Sequence, residues 1–187
     1  MALSIAQRMR TLDPQAEQAA RLIAEESSRL YDAMHGIIPR LTPLVLDNFG
    51  LAEALADLVE RTRRNHPGVQ IELQADMDST QLGSEAALAL YRAAQEGLTN
   101  AMRHGQALRV SVNLHATAEG LVLELADDGI GLSGDWAGKK GHHGLRWLAE
   151  RVQGLGGTFE LVPATPRGVR LTVRLPLPAP RTEAATE

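Results

Sequence analysis

The chain has 187 residues, a length that fits one compact domain and an appended segment. Apolar residues make up 44% of the chain and aromatic residues only 3%, so Leu, Val, Ile and Ala must build the core. The net charge of −4, with basic residues spread along the chain, argues against binding nucleic acid by phosphate neutralisation. Cys is absent, which rules out disulfides and fits a reducing cytosol, and we find neither a signal peptide nor an apolar run that would span a membrane.

The N-terminal part of the chain predicts a long helix with a seam for a partner helix. Apolar or small residues recur at alternating steps of four and three: Ala16, Ala20, Ile23, Ser27, Leu30, Met34, Ile37 and Leu41. Packing against a second copy is favoured over packing within the chain, because little sequence precedes the seam to cover it. Pro39 is expected to end or kink this helix, since proline removes a hydrogen-bond donor.

The rest of the chain predicts helices and strands in an α+β fold. Helices are predicted at about residues 48–64, 84–104 and 144–155. Strands are predicted at residues 69–75, 108–114, 121–125, 159–161 and 169–175. Because polar residues alternate with apolar ones along the strands, one face of the sheet is expected to be in water. We therefore expect a two-layer α/β sandwich, with helices on one face of a mixed sheet.

A first polar cluster lies near the end of the second predicted helix. Glu96, Asn100 and His104 stand four residues apart and Arg103 lies three beyond Asn100, so a helix presents them on one side. A carboxylate, an amide oxygen and cations in one line would suit a hydrated metal and a polyphosphate. The alternative is a solvated helix face with favourable charge pairs.

A second cluster, residues 127–131, directly follows a predicted strand. Gly129 and Gly131 permit close backbone approach, and the Asp127 carboxylate beside them can accept a hydrogen bond from an exocyclic amine. Taken alone, the pattern is more typical of a plain turn.

A third cluster, residues 141–145, opens the last predicted helix. Gly141 and Gly144 leave the N–H groups at the helix start accessible, as in an anion site. The alternative is a loop that binds nothing. We disfavour a metal site at His142 and His143, because no carboxylate lies nearby in the sequence.

In this order, the three clusters resemble the N, G1 and G2 boxes of the nucleotide-binding fold shared by gyrase, heat-shock chaperones, mismatch-repair ATPases and histidine kinases. The resemblance spans about residues 69–176. Four segments are similar in sequence to the sensor histidine kinases that include the nitrate and hexose-phosphate sensors. These segments are residues 38–51, 96–104, 141–151 and 155–157. Together these segments extend the resemblance over nearly the whole chain.

The resemblance implies roles for the residues around the base and the metal. Asn100 would coordinate Mg²⁺ on the phosphates, with Glu96 nearby as a polarising or metal-supporting carboxylate. Asp127 would accept from the adenine amine, and Gly129 and Gly131 would shape the base pocket.

It also implies a set of residues around the phosphates. Gly141 and Gly144 would cradle them, with His143 and Leu145 in the same binding segment. Arg103 and His104 would add positive charge. Residues 132–140 would form a short lid whose Lys139 and Lys140 contact the γ-phosphate.

The implied protein is a two-component sensor kinase that uses ATP and Mg²⁺. Residues 1–45 would be the C-terminal part of a dimerisation region, 46–178 the catalytic ATP-binding domain and 179–187 a disordered tail. The domain would donate the γ-phosphate to a histidine for relay to a response regulator with a helix-turn-helix output domain. The expected setting is cytoplasmic, as a homodimer through the N-terminal helix, with membrane contact only through regions outside these residues.

Two departures from the family pattern bear on this reading. Val169 follows Gly168 where many relatives have Thr, so one polar contact to the nucleotide is missing. The phosphoacceptor motif, a histidine followed by an acidic residue, does not occur, because His35 precedes Gly36 and the other histidines also lack an acidic successor. The chain by itself is therefore expected to bind nucleotide without autophosphorylating.

Two other functions compete with this one. The chain could be a noncatalytic dimerisation and signal-relay module with a degenerate pocket, against which the intact Asn100, Asp127 and glycine pattern counts. It could also be an ATPase or an anti-sigma-type serine kinase on the same fold. The heptad helix and the short lid favour the histidine kinase.

Overall fold

A computed structural model of the chain describes Leu22 and residues 44–76, 82–131 and 143–176. The chain divides into two compact units, Met1–Leu41 and Thr42–Glu187. In the first unit Leu22 lies in a helix and its side chain is exposed. Leu22 is not part of the predicted heptad seam, and the residues of that seam, with His35 and Pro39, lie outside the described residues.

The second unit alternates helices and strands much as the sequence predicts. Its described helices are α1 (Leu44–Phe49), α2 (Leu51–Asn65), α3 (Ser84–Asn100), a π-helix (Ala101–Gly105) and α4 (His143–Gly154). Its described strands are β1 (Gln70–Asp76), β2 (Arg109–Thr117), β3 (Gly120–Asp127), β4 (Thr158–Pro163) and β5 (Val169–Pro176).

Two predicted helices differ in detail from the observed ones. The helix predicted from residue 48 is divided, because Gly50 has a φ of 86° and separates α1 from α2. The helix predicted to run to His104 is α-helical only as far as Asn100 and continues as the π-helix. Gln106 then takes a left-handed conformation, and the Ala107 N–H donates to the Ala101 carbonyl at 3.1 Å, which ends the helix.

The five strands form one mixed sheet in the order β1-β2-β3-β5-β4. Strands β1 and β2 are parallel, and the other neighbouring pairs are antiparallel. Strand β3 is therefore central, and its Leu123 lies opposite Leu114 on one side and Val173 on the other.

Among the described residues, helices cover one face of this sheet. Helix α3 contacts β3 and β5, α2 contacts β1, and α4 contacts β4 and β5. Apolar residues from the helices and from alternate strand positions meet in one buried core. The opposite face carries polar side chains such as Glu72, Glu124, Arg170 and Arg174. The predicted α+β sandwich of a mixed sheet with helices on one face is confirmed.

The open edge of the sheet at β1 is partly blocked by a side chain of α2. The Arg63 guanidinium donates to the Ile71 carbonyl through Nε, at 3.1 Å, and through a terminal nitrogen. A cation bound to an edge carbonyl makes that edge a poorer template for another strand. Along the described ranges, we find no helix with both the length and the apolar character needed to cross a membrane.

Replacement of the central Leu123 by Ala is expected to destabilise the domain by about 2–5 kcal/mol, because it leaves a cavity in a core that does not fully collapse. Leu44→Ala makes the same change at a side chain that is 78% exposed and should change stability by less than about 0.5 kcal/mol. Urea unfolding followed by circular dichroism measures both. Equal losses for the two variants would contradict the placement of β3 at the centre of the core.

Candidate functional site

A cavity of about 280 Å³ opens between the end of α3, the end of β3 and the start of α4. Its walls are largely apolar and include Leu125, Leu161 and Leu171. Three polar side chains at its margin come from the first and second predicted clusters: Asn100, His104 and Asp127. A mostly apolar hollow with a few convergent polar groups, just under the usual 300–1,000 Å³ of ligand pockets, would suit one flat ring system.

Asp127 supplies the buried hydrogen-bond acceptor of this cavity. It is the last residue of β3, only 8% of its surface is exposed, and its Oδ1 accepts the Gly129 N–H at 2.8 Å. Burial raises the pKa of the Asp127 carboxyl, while the N–H groups of Gly129 and Val169 oppose that shift. The site thus contains a partly desolvated carboxylate that can accept from a ligand.

The glycines of the second cluster let two backbone segments meet beneath the cavity. A Cβ on Gly129 would lie 2.4 Å from the Gly105 carbonyl oxygen, and the Ile130 N–H donates to that oxygen at 2.8 Å. Gly131 lines the cavity with a φ of 84°. Any larger residue at position 129 would push the end of β3 away from the π-helix.

The first cluster is held together by a hydrogen bond within α3. The Asn100 Nδ2 donates to Glu96 Oε1 at 3.1 Å, and both side chains are half-buried. This bond turns the Asn100 amide oxygen away from Glu96. Asn100 also lines the cavity, so its amide group lies at the cavity margin.

Glu96 also meets the start of α4, where the third cluster lies. A Cβ on Gly144 would lie 2.7 Å from Glu96 Oε1, so a larger residue at position 144 would require the Glu96 carboxylate to move. Leu145, the next residue, is buried and lines the cavity. The N–H groups at a helix start attract anions, and this end of α4 faces the first cluster.

The predicted cations are distributed unevenly. His104 and Arg103 both lie in the π-helix and are exposed, and of the two it is His104 that lines the cavity. Lys139, Lys140 and Gly141 lie outside the described residues, as does the predicted lid. Helix α4 begins at His143, and the His143 side chain also lies outside the described residues.

Several contributors to the site were not predicted as site residues. Leu125, Leu161 and Leu171 have the period-2 spacing of ordinary core strands, and nothing local marks them as cavity walls. At Val169 the sequence indicates only the loss of a polar side chain. In the structure the Val169 backbone N–H lowers the pKa of the Asp127 carboxyl, in opposition to burial. Asp128 belongs to the predicted motif, but no role was assigned to it.

Comparison with known proteins identifies the family. Residues 85–179, about half of the chain, match the family model of the histidine kinase-, DNA gyrase B- and HSP90-like ATPases. The chain is 33% identical over 176 residues to the signal transduction histidine-protein kinase/phosphatase UhpB of Salmonella typhimurium, covering 92% of this chain and 34% of that protein. It is 34% identical over 170 residues to the sensor histidine kinase NarS of Mycobacterium tuberculosis, covering 88% of this chain and 38% of that protein.

Solved structures show the same fold. The ATP-binding domain of PrrB from Mycobacterium tuberculosis aligns with a TM-score of 0.56 and 24% identity, over 68% of this chain and 94% of that one. The histidine kinase domain of a blue-light activated kinase from Erythrobacter litoralis aligns with a TM-score of 0.62 and 17% identity, over 94% of each chain. The chain spans about a third to a half of the length of the curated relatives named here and of the sensor histidine kinase LiaS of Bacillus subtilis. It belongs to the family of histidine kinase-, DNA gyrase B- and HSP90-like ATPases, and its curated relatives are sensor histidine kinases.

Proposed function

We propose that this chain is the catalytic domain of a two-component sensor histidine kinase, which binds ATP with Mg²⁺ and presents the γ-phosphate to a histidine. The observation that carries the proposal is the buried Asp127 carboxylate in an apolar cavity. Such a carboxylate accepts hydrogen bonds and discriminates between bases by their exocyclic groups. An adenine amine is a donor and suits it, whereas a guanine carbonyl at the same place would repel it.

The apolar walls support the placement of the base in this cavity. Leu125, Leu161 and Leu171 offer flat contact surface to a ring, and Val169 replaces a polar side chain by an apolar one. The Asp127 Oδ1 accepts the Gly129 N–H, and a carboxylate has enough lone pairs to accept from a ligand as well. In this pose the ribose and phosphates would leave the cavity on the side of Asn100 and the start of α4.

Asn100 and Glu96 are the residues we assign to the metal. Within the described residues no group of three or more His, Cys, Asp or Glu side chains is arranged to hold a metal ion by itself. Mg²⁺ typically keeps several waters and binds through few protein oxygens together with substrate phosphates, and a single amide oxygen beside a carboxylate fits that pattern. When bound, Mg²⁺ would offset charge on the phosphates, while Glu96 orients the Asn100 amide through their hydrogen bond.

The remaining assigned residues surround the phosphates in this proposal. His104 and Arg103 of the π-helix, and Lys139 and Lys140 of the lid, would supply positive charge. Gly141 and Gly144 would let the phosphates approach the N–H groups at the start of α4, beside His143 and Leu145. Phosphoryl transfer would then depend on positioning and charge compensation rather than on covalent chemistry by the domain.

The acceptor and the partners follow from the same proposal. No histidine in the chain is followed by an acidic residue, so the phosphoacceptor would lie on another segment or polypeptide. From there the phosphoryl group would pass to a response regulator with a helix-turn-helix output domain. The N-terminal heptad seam would bring two copies together in the intact kinase.

Asp127→Asn is expected to weaken binding of a nonhydrolysable ATP analogue at least about tenfold, because the amide keeps the Gly129 contact and turns its NH₂ toward the adenine amine. Titration calorimetry of the chain measures the affinity. Glu124→Gln is the matched control, since it removes the same charge three residues earlier on the outer face of β3 and should bind normally. If the wild-type chain does not bind the analogue even at millimolar concentration, the result would instead favour the signal-relay module.

Asn100→Ala is expected to abolish most of the gain in nucleotide affinity that Mg²⁺ provides, because the amide oxygen is the assigned ligand. The check is titration of the same analogue with Mg²⁺ and with a chelator. Asn113→Ala, on the outer face of β2, provides the control and should retain the full Mg²⁺ effect. An unchanged Mg²⁺ effect in Asn100→Ala would remove Asn100 from the metal site.

Asp127→Asn is also expected to stabilise the nucleotide-free chain in a pH-dependent way. Because burial raises the folded-state pKa of Asp127 above its ordinary value of 3.8, the folded chain binds more protons between the two values, and the wild-type unfolding free energy falls as pH rises through that window. The variant lacks this titration. Its stability advantage should therefore be small below pH 3.8, grow through the folded-state pKa and stay constant above it. Urea unfolding across pH measures this difference, and an advantage that shrinks with rising pH would contradict the assigned cause.

A further inference from the structure

Asp128 directly follows the cavity carboxylate but serves a different part of the molecule. Asp127 is the last residue of β3 and its side chain lines the cavity. Consecutive side chains at a strand end point to opposite sides, so Asp128 faces away from the cavity. Its side chain meets the segment 106–109 that joins the π-helix to β2.

The Asp128 carboxylate gathers two backbone donors onto one oxygen. Oδ1 accepts the Leu108 N–H at 2.8 Å and the Arg109 N–H at 2.9 Å. The Asp128 N–H in turn donates to the Arg109 carbonyl at 3.2 Å. With the bond from Ile130 to the Gly105 carbonyl, these contacts join the segment 105–109 to the segment 128–130 at both ends.

The segment held in this way follows directly on the residues that border the cavity. His104 and Gly105 both line it, and Asn100 lies one turn earlier. Gln106 has a φ of 50°, a conformation that non-glycine residues adopt at a cost and that surrounding contacts must impose. The carboxylate provides such contacts two and three residues further along the chain.

We propose that Asp128 is a positioning residue for nucleotide binding: its carboxylate clamps the segment 106–109 and so sets the π-helix, with His104 and Gly105, against the Asp127 side of the cavity. The inference rests on the proposed function and deepens it. In this proposal Asp127 accepts from the base, and Asp128 holds the segment 106–109 that positions the opposite wall of the site.

The charge state of Asp128 agrees with this role. The N–H groups of Arg109 and Leu108 lower the pKa of the Asp128 carboxyl, and the positive charge of Arg167 lowers it further. The carboxylate therefore remains ionised at neutral pH, and both of its oxygens can act only as acceptors.

Two substitutions separate the hydrogen bonds from the charge. Asp128→Ala removes the acceptor, whereas Asp128→Asn retains an oxygen that can take both N–H groups and removes only the charge. Thr117→Val is the matched control, because it too removes a hydrogen bond between a side chain and the backbone, here from the Thr117 hydroxyl to the Gly120 carbonyl at 3.0 Å, at the other end of the same two strands. Each variant is titrated calorimetrically with the nonhydrolysable ATP analogue, at a temperature where circular dichroism shows it folded.

Asp128→Ala is expected to lower the analogue affinity about tenfold, equivalent to about 1.4 kcal/mol, while Asp128→Asn and Thr117→Val stay within about threefold of wild type. Wild-type affinity in Asp128→Ala would overturn the inference. So would an equal loss in Asp128→Asn, which would implicate charge alone, or an equal loss in Thr117→Val, which would implicate general destabilisation.

A nucleotide-free measurement keeps this inference separate from the proposed function. In amide NMR spectra, Asp128→Ala should shift the Leu108 and Arg109 signals and also those of His104 and Gly105, and Asp128→Asn should restore the latter pair. Unshifted His104 and Gly105 signals would overturn the positioning role even if nucleotide binds. Failure of the wild-type chain to bind nucleotide would overturn the proposed function, and the positioning role would then be decided by these spectra.

Discussion

The candidate site depends on the close backbone contact between the end of the π-helix and the end of β3. The Gly105 carbonyl accepts the Ile130 N–H at 2.8 Å. A Cβ at position 129 would collide with the same carbonyl, at 2.4 Å. This contact sets the distance between a helix that carries Asn100 and a strand that carries Asp127. A backbone contact of this kind tolerates little change, since a Cβ would have to displace a carbonyl rather than a flexible side chain.

The site is assembled from groups that are costly in isolation. A buried carboxylate at Asp127, a left-handed Gln106 and a π-helical turn each work against the stability of the fold. The surrounding sheet offsets these costs through an extensive core of Leu, Val and Ala side chains. Irregular or poorly solvated groups concentrated beside a cavity are typical of functional sites. Their concentration here agrees with the nucleotide site that we propose.

Glu96 connects two parts of the proposed nucleotide site that lie far apart in the sequence. It orients the Asn100 amide through a hydrogen bond and lies close to Gly144 at the start of α4, where a Cβ would be 2.7 Å from Glu96 Oε1. One carboxylate thus bears on both the assigned metal ligand and the assigned phosphate cradle. The order of polar groups around the cavity, from Asp127 through Asn100 to Gly144, would match a nucleotide laid from base to phosphates.

Much of this arrangement was determined by local sequence. Alternating apolar residues identified the strands and the wet face of the sheet, and the spacing of Glu96, Asn100 and His104 placed them on one helix side, because these periods follow directly from backbone geometry. The ordered glycine and acid motifs identified the family. Only the tertiary structure decided that Gly50 divides a helix and that a π-helix follows Asn100. It also decided that leucines with the spacing of core residues line a cavity and that Asp128 holds the segment 106–109. Those features depend on contacts between segments about twenty or more residues apart or on the way one turn closes, and the periodicity of a single segment contains no information about either.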